Sequence, residues 1–311
     1  MTRVPEATDA IAAVELAFGW RDATARRFGN GLAFYVFDVE AGGKRAVVRM
    51  GLPGQRQTLR DGVALAQALR PLGVPLPALL FDGTEAALPY IIIERFAGTD
   101  LGDVFAALGD EQRRAIARQV AAAQLAVGRL GPAQRFGYAP NAEAATHGDW
   151  AAVVRASIAR SQERILAAGL FGPGPAERLA GLFDTLAPQM RAVAATPFLH
   201  DTTTKNVIVT QDGLLSGIVD VDDLCFGDPR YAAALTATAL LTRGHELDYV
   251  DTWLDAMGLA DDALFRFYVA VFLLDFMSEH GMVFNGNMRP SRAEDRQHLL
   301  ALFEAAADEM Q

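Results

Sequence analysis

The chain has 311 residues, 51% of them hydrophobic, and a formal net charge of −10, enough for one large domain or two lobes with a sizeable core. No apolar run reaches the ~18–20 residues of a membrane span, the N-terminus MTRVPEATDA lacks the basic and then apolar pattern of a signal peptide, and the acidic balance argues against nucleic-acid binding through a basic surface. The lone cysteine, Cys225, has no partner for an internal disulfide and points to the cytoplasm, and only two lysines, Lys44 and Lys205, are available for any role that needs one.

In chain order, AIAAVELAFGW (residues 10–20) reads as helix. LAFYVFDVE (32–40) and RAVVRMG (45–51) read as β runs joined by the turn AGGK. LRDGVALAQALRPLG (59–73) is helical and stops at a glycine before VPLPALLFDG. LPYIIIERFAG (88–98) is a further strand running into a glycine. From Thr99 onward the texture changes to long alanine- and leucine-rich helices, at 110–130, 148–169 and 174–195. One interruption, NVIVTQDGLLSGIVDV (206–221), reads as a hairpin turning at Gln211-Asp212-Gly213, after which helices resume. The simplest organisation is a small N-terminal α+β lobe and a larger helical lobe, joined near Glu94 to Thr99.

The hairpin sets Asp201 and Asn206, in LHDTTTKN, opposite Asp220, in VDVDD. An acid, an amide and a second acid are the oxygen-bearing side chains that phosphoryl transfer requires. One acid receives or orients the proton of an attacking hydroxyl, and hard oxygen ligands hold Mg²⁺ against nucleotide phosphates. HDTTTKN followed by IVDVDDLCFGDPRY resembles the paired motifs of the aminoglycoside phosphotransferase and choline kinase superfamily, roughly H-G-D-x-x-x-x-N and, past a hairpin, I-D-F-x-D-x-x-x-G-D-P. Asp201 and Asn206 match the first; Asp220, Asp223, Gly227, Asp228 and Pro229 match the second in register. The resemblance implies a kinase-like fold, Asp201 as catalytic acid/base, and Asn206 and Asp220 as metal ligands.

There are departures from the pattern. Leu199 stands where the family usually has histidine, with His200 moved next to the aspartate. TTTK replaces the common LHPG, and Val221 replaces an aromatic residue. Lys205 is placed either to touch a phosphate or to be a solvated loop lysine. The stretch HGDW (147–150) spells the family's H-G-D but has Val154 where asparagine would stand, so Asp149 reads as the N-cap of the following helix.

On the nucleotide side, RFGNGLAFYVF would be the turn over the phosphates, with Gly29 and Gly31 allowing close backbone approach; alone, it is an ordinary hairpin turn. Arg49 sits where related kinases keep a phosphate-pairing lysine, and its fork suits phosphate. Asp61 sits where the family has the glutamate that orients that cation. Glu94 to Phe96 resemble the connecting strand whose main chain reads adenine. On the acceptor side, the helix DDALFRFYVAVFLLDFMSEHG is apolar nearly all round and should be buried. Asp275 inside it needs a partner, either an arginine such as Arg266 or Arg289, or, together with Glu279, the ammonium of a substrate.

The expected architecture is therefore α+β and two-lobed, protein-kinase-like, with a nucleotide-binding lobe over 1–97 and a catalytic and acceptor-binding lobe over 98–311. The expected activity is transfer of the ATP (or GTP) γ-phosphoryl group, with Mg²⁺, to a hydroxyl of an aminoglycoside, amino alcohol, sugar or related metabolite. The acidic balance favours a cationic acceptor, and no nucleic-acid or membrane partner is expected. The alternative is a kinase-like nucleotide- or metabolite-binding protein with weak or no turnover, to which the missing lysine and the altered LHD point. A protein kinase ranks lower, since H-R-D and A-P-E elements are lacking.

Overall fold

The computed structural model describes residues 3–29, 34–284, 287–288 and 291–310. It is two-lobed. The N-terminal lobe contains α1 (Ala7–Phe18), β1 (Thr24–Arg27), β2 (Tyr35–Ala41), β3 (Lys44–Met50), α2 (Arg56–Leu69), β4 (Leu79–Gly83) and β5 (Tyr90–Glu94). Its strands form one antiparallel sheet in the order β1-β2-β3-β5-β4. The β2–β3 turn closes at Ala41 opposite Lys44 with Gly42 and Gly43 at φ 55° and 78°. Two successive positive φ values are what a tight hairpin matching the strand twist demands.

Period-two alternation gives the sheet two buried faces. Phe37, Val39, Val48 and Ile92 pack with Ala10 and Val14 of α1, whereas Ile91 packs with Leu59 and Val63 of α2. Arg49 lies between Val48 and Met50, both on the α1 face, so it points the other way, toward α2.

The C-terminal lobe contains β6 (Thr99–Asp100), α3 (Leu101–Val104), α4 (Asp110–Gly128), β7 (Gly137–Ala139), α5 (Trp150–Ala168), α6 (Gly174–Arg191) and β8 (Thr196–Phe198). These are followed by β9 (Val207–Val209), β10 (Leu215–Ile218), β11 (Leu224–Gly227), α7 (Arg230–Leu241), α8 (Asp248–Met257), α9 (Ala263–Ser278) and α10 (Ala293–Asp308). As its all-round apolar sequence requires, α9 is the buried axis: Phe267, Tyr268, Ala270, Leu273 and Leu274 are all at 0% exposure. The β9–β10 hairpin turns where its sequence indicates, with Gly213 at φ 74° and its N–H donating to Thr210 O at 3.0 Å.

Two contacts tie the hairpin to the N-terminal lobe and its joint. A side chain at Gly98 (φ 113°) would place its Cβ 1.9 Å from Val209 O, so only glycine lets the joint run this close to β9. Ile218 N donates to Pro75 O at 2.8 Å, bonding β10 to the segment after α2. Residues 219–223, which follow β10, are thereby set beneath the sheet.

Candidate active site

The loop carrying Asp201 is held almost wholly by hydrogen bonds inside the larger lobe. Gln124 of α4, 2% exposed, donates from Nε2 to Leu199 O (2.8 Å) and Thr202 Oγ1 (3.1 Å), and its Oε1 accepts from Leu199 N (2.9 Å). Thr202, Thr203 and Thr204 are buried. Thr203 Oγ1 donates to Asp201 Oδ1 at 2.8 Å, and Asn206 Nδ2 donates to Asp201 O at 2.9 Å. The second of these bonds engages the nitrogen end of the Asn206 amide. Lys205 Nζ lies 3.1 Å from Asp201 Oδ2. Burial works against ionisation of Asp201, but Lys205, His200 and the Thr203 hydroxyl together outweigh it, and its pKa lies below the ordinary carboxylate value.

Asn206 and the second motif are adjacent because the hairpin closes on them: Val219 N donates to Asn206 O at 2.9 Å, one residue before Asp220. Asp220 has φ 63°, one of two non-glycine residues with positive φ among those described, and its side chain is 56% exposed. A left-handed aspartate is sterically unfavourable, and such strain collects at functional sites. Asp223 Oδ1 faces His200 Nδ1 at 3.4 Å, and the His200 ring stands edge-on to Tyr138 at 5.0 Å.

Arg49 crosses from the N-terminal lobe to this loop. It donates from Nη1 and Nη2 to the two oxygens of Asp222, both at 2.5 Å, and from Nη2 to Asp220 Oδ1 at 2.9 Å. Its guanidinium lies 4.3 Å from the centroid of the Phe34 ring. Burial disfavours the charge on Arg49, but Asp222 and Asp220 more than restore it and its pKa is raised. A cavity of about 50 Å³ beside Arg49 is lined from both lobes, by Gly62, Ile91 and Ile93 above and by Ile218, Asp220 and Asp222 below. A wider hollow of about 570 Å³ beyond the joint, between Gly98, Leu108 and Gln211, is lined by none of the expected site residues.

Several expectations need correction. Arg49 does not pair with Asp61. On α2 it is Gly62 that faces the loop, its would-be Cβ 3.2 Å from Asp222 Oδ1, while Asp61 accepts from Gln57 Nε2 at 2.8 Å one turn earlier. Lys205, exposed on the loop, is the counter-charge of Asp201. Asp275 is partnered by Ser161 Oγ (2.8 Å) and Arg160 Nη2 (3.3 Å), not by Arg266, which bonds Asp261. Arg289 and Gly31 lie outside the described residues. Gly29 is exposed just past β1, and Glu279 follows α9, its N–H donating to Asp275 O at 3.2 Å. Glu94 closes β5, its N–H donating to Ala78 O at 2.9 Å, and Phe96 packs over Gly217 of β10.

Asp149 is an N-cap, accepting from Ala152 N at 2.7 Å. Asp228 is wholly engaged in structure. Arg230 forks onto it, and Tyr268 donates to it at 3.0 Å while accepting from Trp150 Nε1 at 2.8 Å. Gly227 is required there because a Cβ would stand 2.1 Å from the Trp150 ring. Gln124 and Asp222 were not singled out from sequence. A glutamine inside an alanine-rich helix was the only signal for the first, and the acid two places after Asp220 the only one for the second.

The profile of the phosphotransferase enzyme family (APH) matches residues 24–268. The chain belongs to that family. Similar solved structures include aminoglycoside phosphotransferase APH(4)-Ia, at 18% identity and TM-score 0.67, covering 98% of this chain and 100% of that one. Others are ADP-bound APH(2'')-Ib (13%, TM-score 0.62, 97% and 98% covered) and the gentamicin complex of APH(2'')-IIa (12%, TM-score 0.66, 99% and 98%). At these identities the likeness is one of fold, and it bears out the kinase-like architecture. No curated protein matches the sequence. Among the described residues no helix is long and apolar enough to cross a membrane.

Among the described residues no group of three or more His, Cys, Asp or Glu side chains is set to hold a metal. Two oxygen donors fit Mg²⁺ nonetheless, because this ion commonly takes one or two protein ligands and completes its shell with water and phosphate. The oxygens of Asn206 and Asp220 are of the chemical kind it takes, and the left-handed Asp220 keeps its side chain half-exposed rather than in the core.

Proposed function

We propose that this phosphotransferase moves the γ-phosphoryl group of ATP or GTP to a hydroxyl of a small acceptor. The observation that carries the proposal is the hydrogen-bonded unit Asp201–Asn206–Val219, which joins an ionised acid, an amide and the adjoining Asp220 at the junction of the lobes.

In this mechanism Asp201 accepts the hydrogen of the attacking hydroxyl and aligns its oxygen. Its depressed pKa keeps it ionised at neutral pH, and Lys205 and Thr203 fix its orientation. Asn206 and Asp220 would hold Mg²⁺, which supplies charge neutralisation to the phosphates. Arg49 donates to phosphate oxygens from the upper wall, Gly29 borders the phosphates, and the main chain of Glu94 to Phe96 meets the base. Phosphoryl transfer asks mainly for positioning and electrostatic stabilisation, both of which these groups offer.

Hydrogen-bonded acids suit a polar acceptor, and the similar structures include complexes with hygromycin B, gentamicin and streptomycin. A cationic hydroxylated acceptor is therefore the first class to test. Asp275 and Glu279 are the acids on the α9 side, and an ammonium group would have to replace Arg160 at Asp275. Purified protein with Mg²⁺ and ATP or GTP, screened against aminoglycosides, amino alcohols and sugars, should release nucleoside diphosphate in step with one acceptor. Nucleotide binding without turnover on the full panel would favour the second reading, a binding protein. The engagement of Arg49 by Asp220 is the observation on that side.

A further inference from the structure

We infer that Asp222 is the positioning residue for the phosphate-binding cation, doing from the metal-binding loop what a carboxylate on α2 was expected to do. The inference rests on the proposed nucleotide site. Arg49 is 8% exposed, packed on Phe34, and donates to both oxygens of Asp222. Two parallel bonds to one carboxylate fix both the position and the plane of a guanidinium, which a single contact does not. Asp220, by contrast, receives one bond from Nη2, at 2.9 Å.

The source of the counter-charge is decided by α2. Its residue facing Asp222 is Gly62, which has no side chain to offer, and Asp61 is turned away and held by Gln57. The carboxylate of Asp222 comes to within 3.2 Å of where a Cβ at Gly62 would be. The loop acid and the helix glycine are thus complementary: the acid approaches because the helix leaves room. The arginine is complementary too. Bound end-on to Asp222, it retains further N–H groups, and the Nη2 hydrogen now given to Asp220 is the one a phosphate oxygen can take while both Asp222 bonds persist. Orientation of Arg49 then depends on closure of the lobes onto the loop rather than on the attitude of α2.

The test uses the full-length protein and four forms: wild type, Asp222→Ala, Gly62→Glu, and the two combined. Nucleotide affinity is measured by calorimetric titration of ATP with Mg²⁺, acceptor and nucleotide KM by steady-state kinetics, and folding by thermal melts. Asp222→Ala should weaken nucleotide affinity about 10- to 100-fold, the scale for removing a group that orients a ligand, with acceptor KM little changed. Gly62→Glu alone should also weaken it, by crowding Asp222. The double variant should regain affinity over Asp222→Ala, because a glutamate on α2 can reach the vacated guanidinium. Should Asp222→Ala melt too low to assay, Asp222→Asn takes its place. Equal nucleotide affinity in wild type and the Asp222 variant overturns the inference while leaving the proposed function standing, and so does a folded double variant without recovery. A wild type that binds neither ATP nor GTP overturns both.

Discussion

The loops bearing Asp201 and Asp220 lie a hairpin apart in sequence and side by side in space, yet they are held in opposite ways. Residues 199–206 are anchored in one lobe by neutral hydrogen bonds and by three buried threonines. Residues 219–223 carry three carboxylates, a left-handed aspartate and a half-exposed side chain, and are steadied by a cation from the other lobe. The first arrangement suits a group that must stay put while the acceptor comes to it. The second suits one whose geometry depends on lobe closure and on the charge delivered there. Preorganisation and adaptability are thus divided between the two loops that flank one hairpin.

The largest expected effects come from exchanging the acids for their amides. Asp201→Asn keeps the shape and the loop but cannot take a proton. It should leave nucleotide binding nearly intact and lower turnover by about 10²- to 10⁴-fold, nearer the low end because phosphoryl transfer needs little base help. Asp220→Asn should weaken Mg²⁺-dependent nucleotide binding as well as turnover. Titration of both variants beside rate measurements checks this. Loss of nucleotide binding in the Asp201 variant alone would exchange the two roles.

Next in size is the clamp. Gln124→Leu leaves the Leu199 N–H and C=O buried without their partner, at a cost of about 1–3 kcal/mol for each group left unsatisfied. The melting temperature should fall, and turnover should fall further than nucleotide affinity, because the damage lies under Asp201. Equal losses in both would mean that the loops move as one piece. On the other side, Asp220→Gly should raise stability by about 1 kcal/mol through relief of the positive φ and of repulsion among neighbouring acids, while nucleotide binding is lost. A drop in stability would show that the Arg49 contact outweighs the strain.

What could be read from the sequence follows the same division. The hairpin was legible from the Gln211-Asp212-Gly213 turn between two β runs, and the family from motif residues at fixed spacing. The AGGK turn and the buried α9 were legible from glycine pairs and unbroken apolar content. β1 was not, since Thr24-Ala25-Arg26-Arg27 is a four-residue, mostly exposed edge strand with no apolar alternation. The partners of Arg49 and Asp275 were misassigned for a common reason. Pairing among charged side chains is settled by helix phase and by contacts distant in sequence: Gly62 rather than Asp61 faces the loop, and Arg160 reaches Asp275 across 115 positions. Motif spacing says nothing of either.

The smallest expected effect is a shift in pH dependence, and it isolates the contribution of Lys205 to the Asp201 loop. Asp201 is largely enclosed, and burial alone would raise its pKa; Lys205 is foremost among the groups that reverse this. A carboxylate whose pKa is depressed on folding adds stability that is present above its unfolded value, ~3.9, and lost as pH falls through the lower folded value. Lys205→Met removes the leading opposing charge and leaves the burial, so the Asp201 pKa should rise. The acid limb of the kcat/KM profile should then move to higher pH, and the acid-side stability should start to fail at higher pH as well. The Lys205 and Asp201 side chains are 44% and 23% exposed, so salt should narrow the difference between the two profiles. An acid limb that stays in place would show that His200 and the Thr203 hydroxyl keep Asp201 ionised without Lys205.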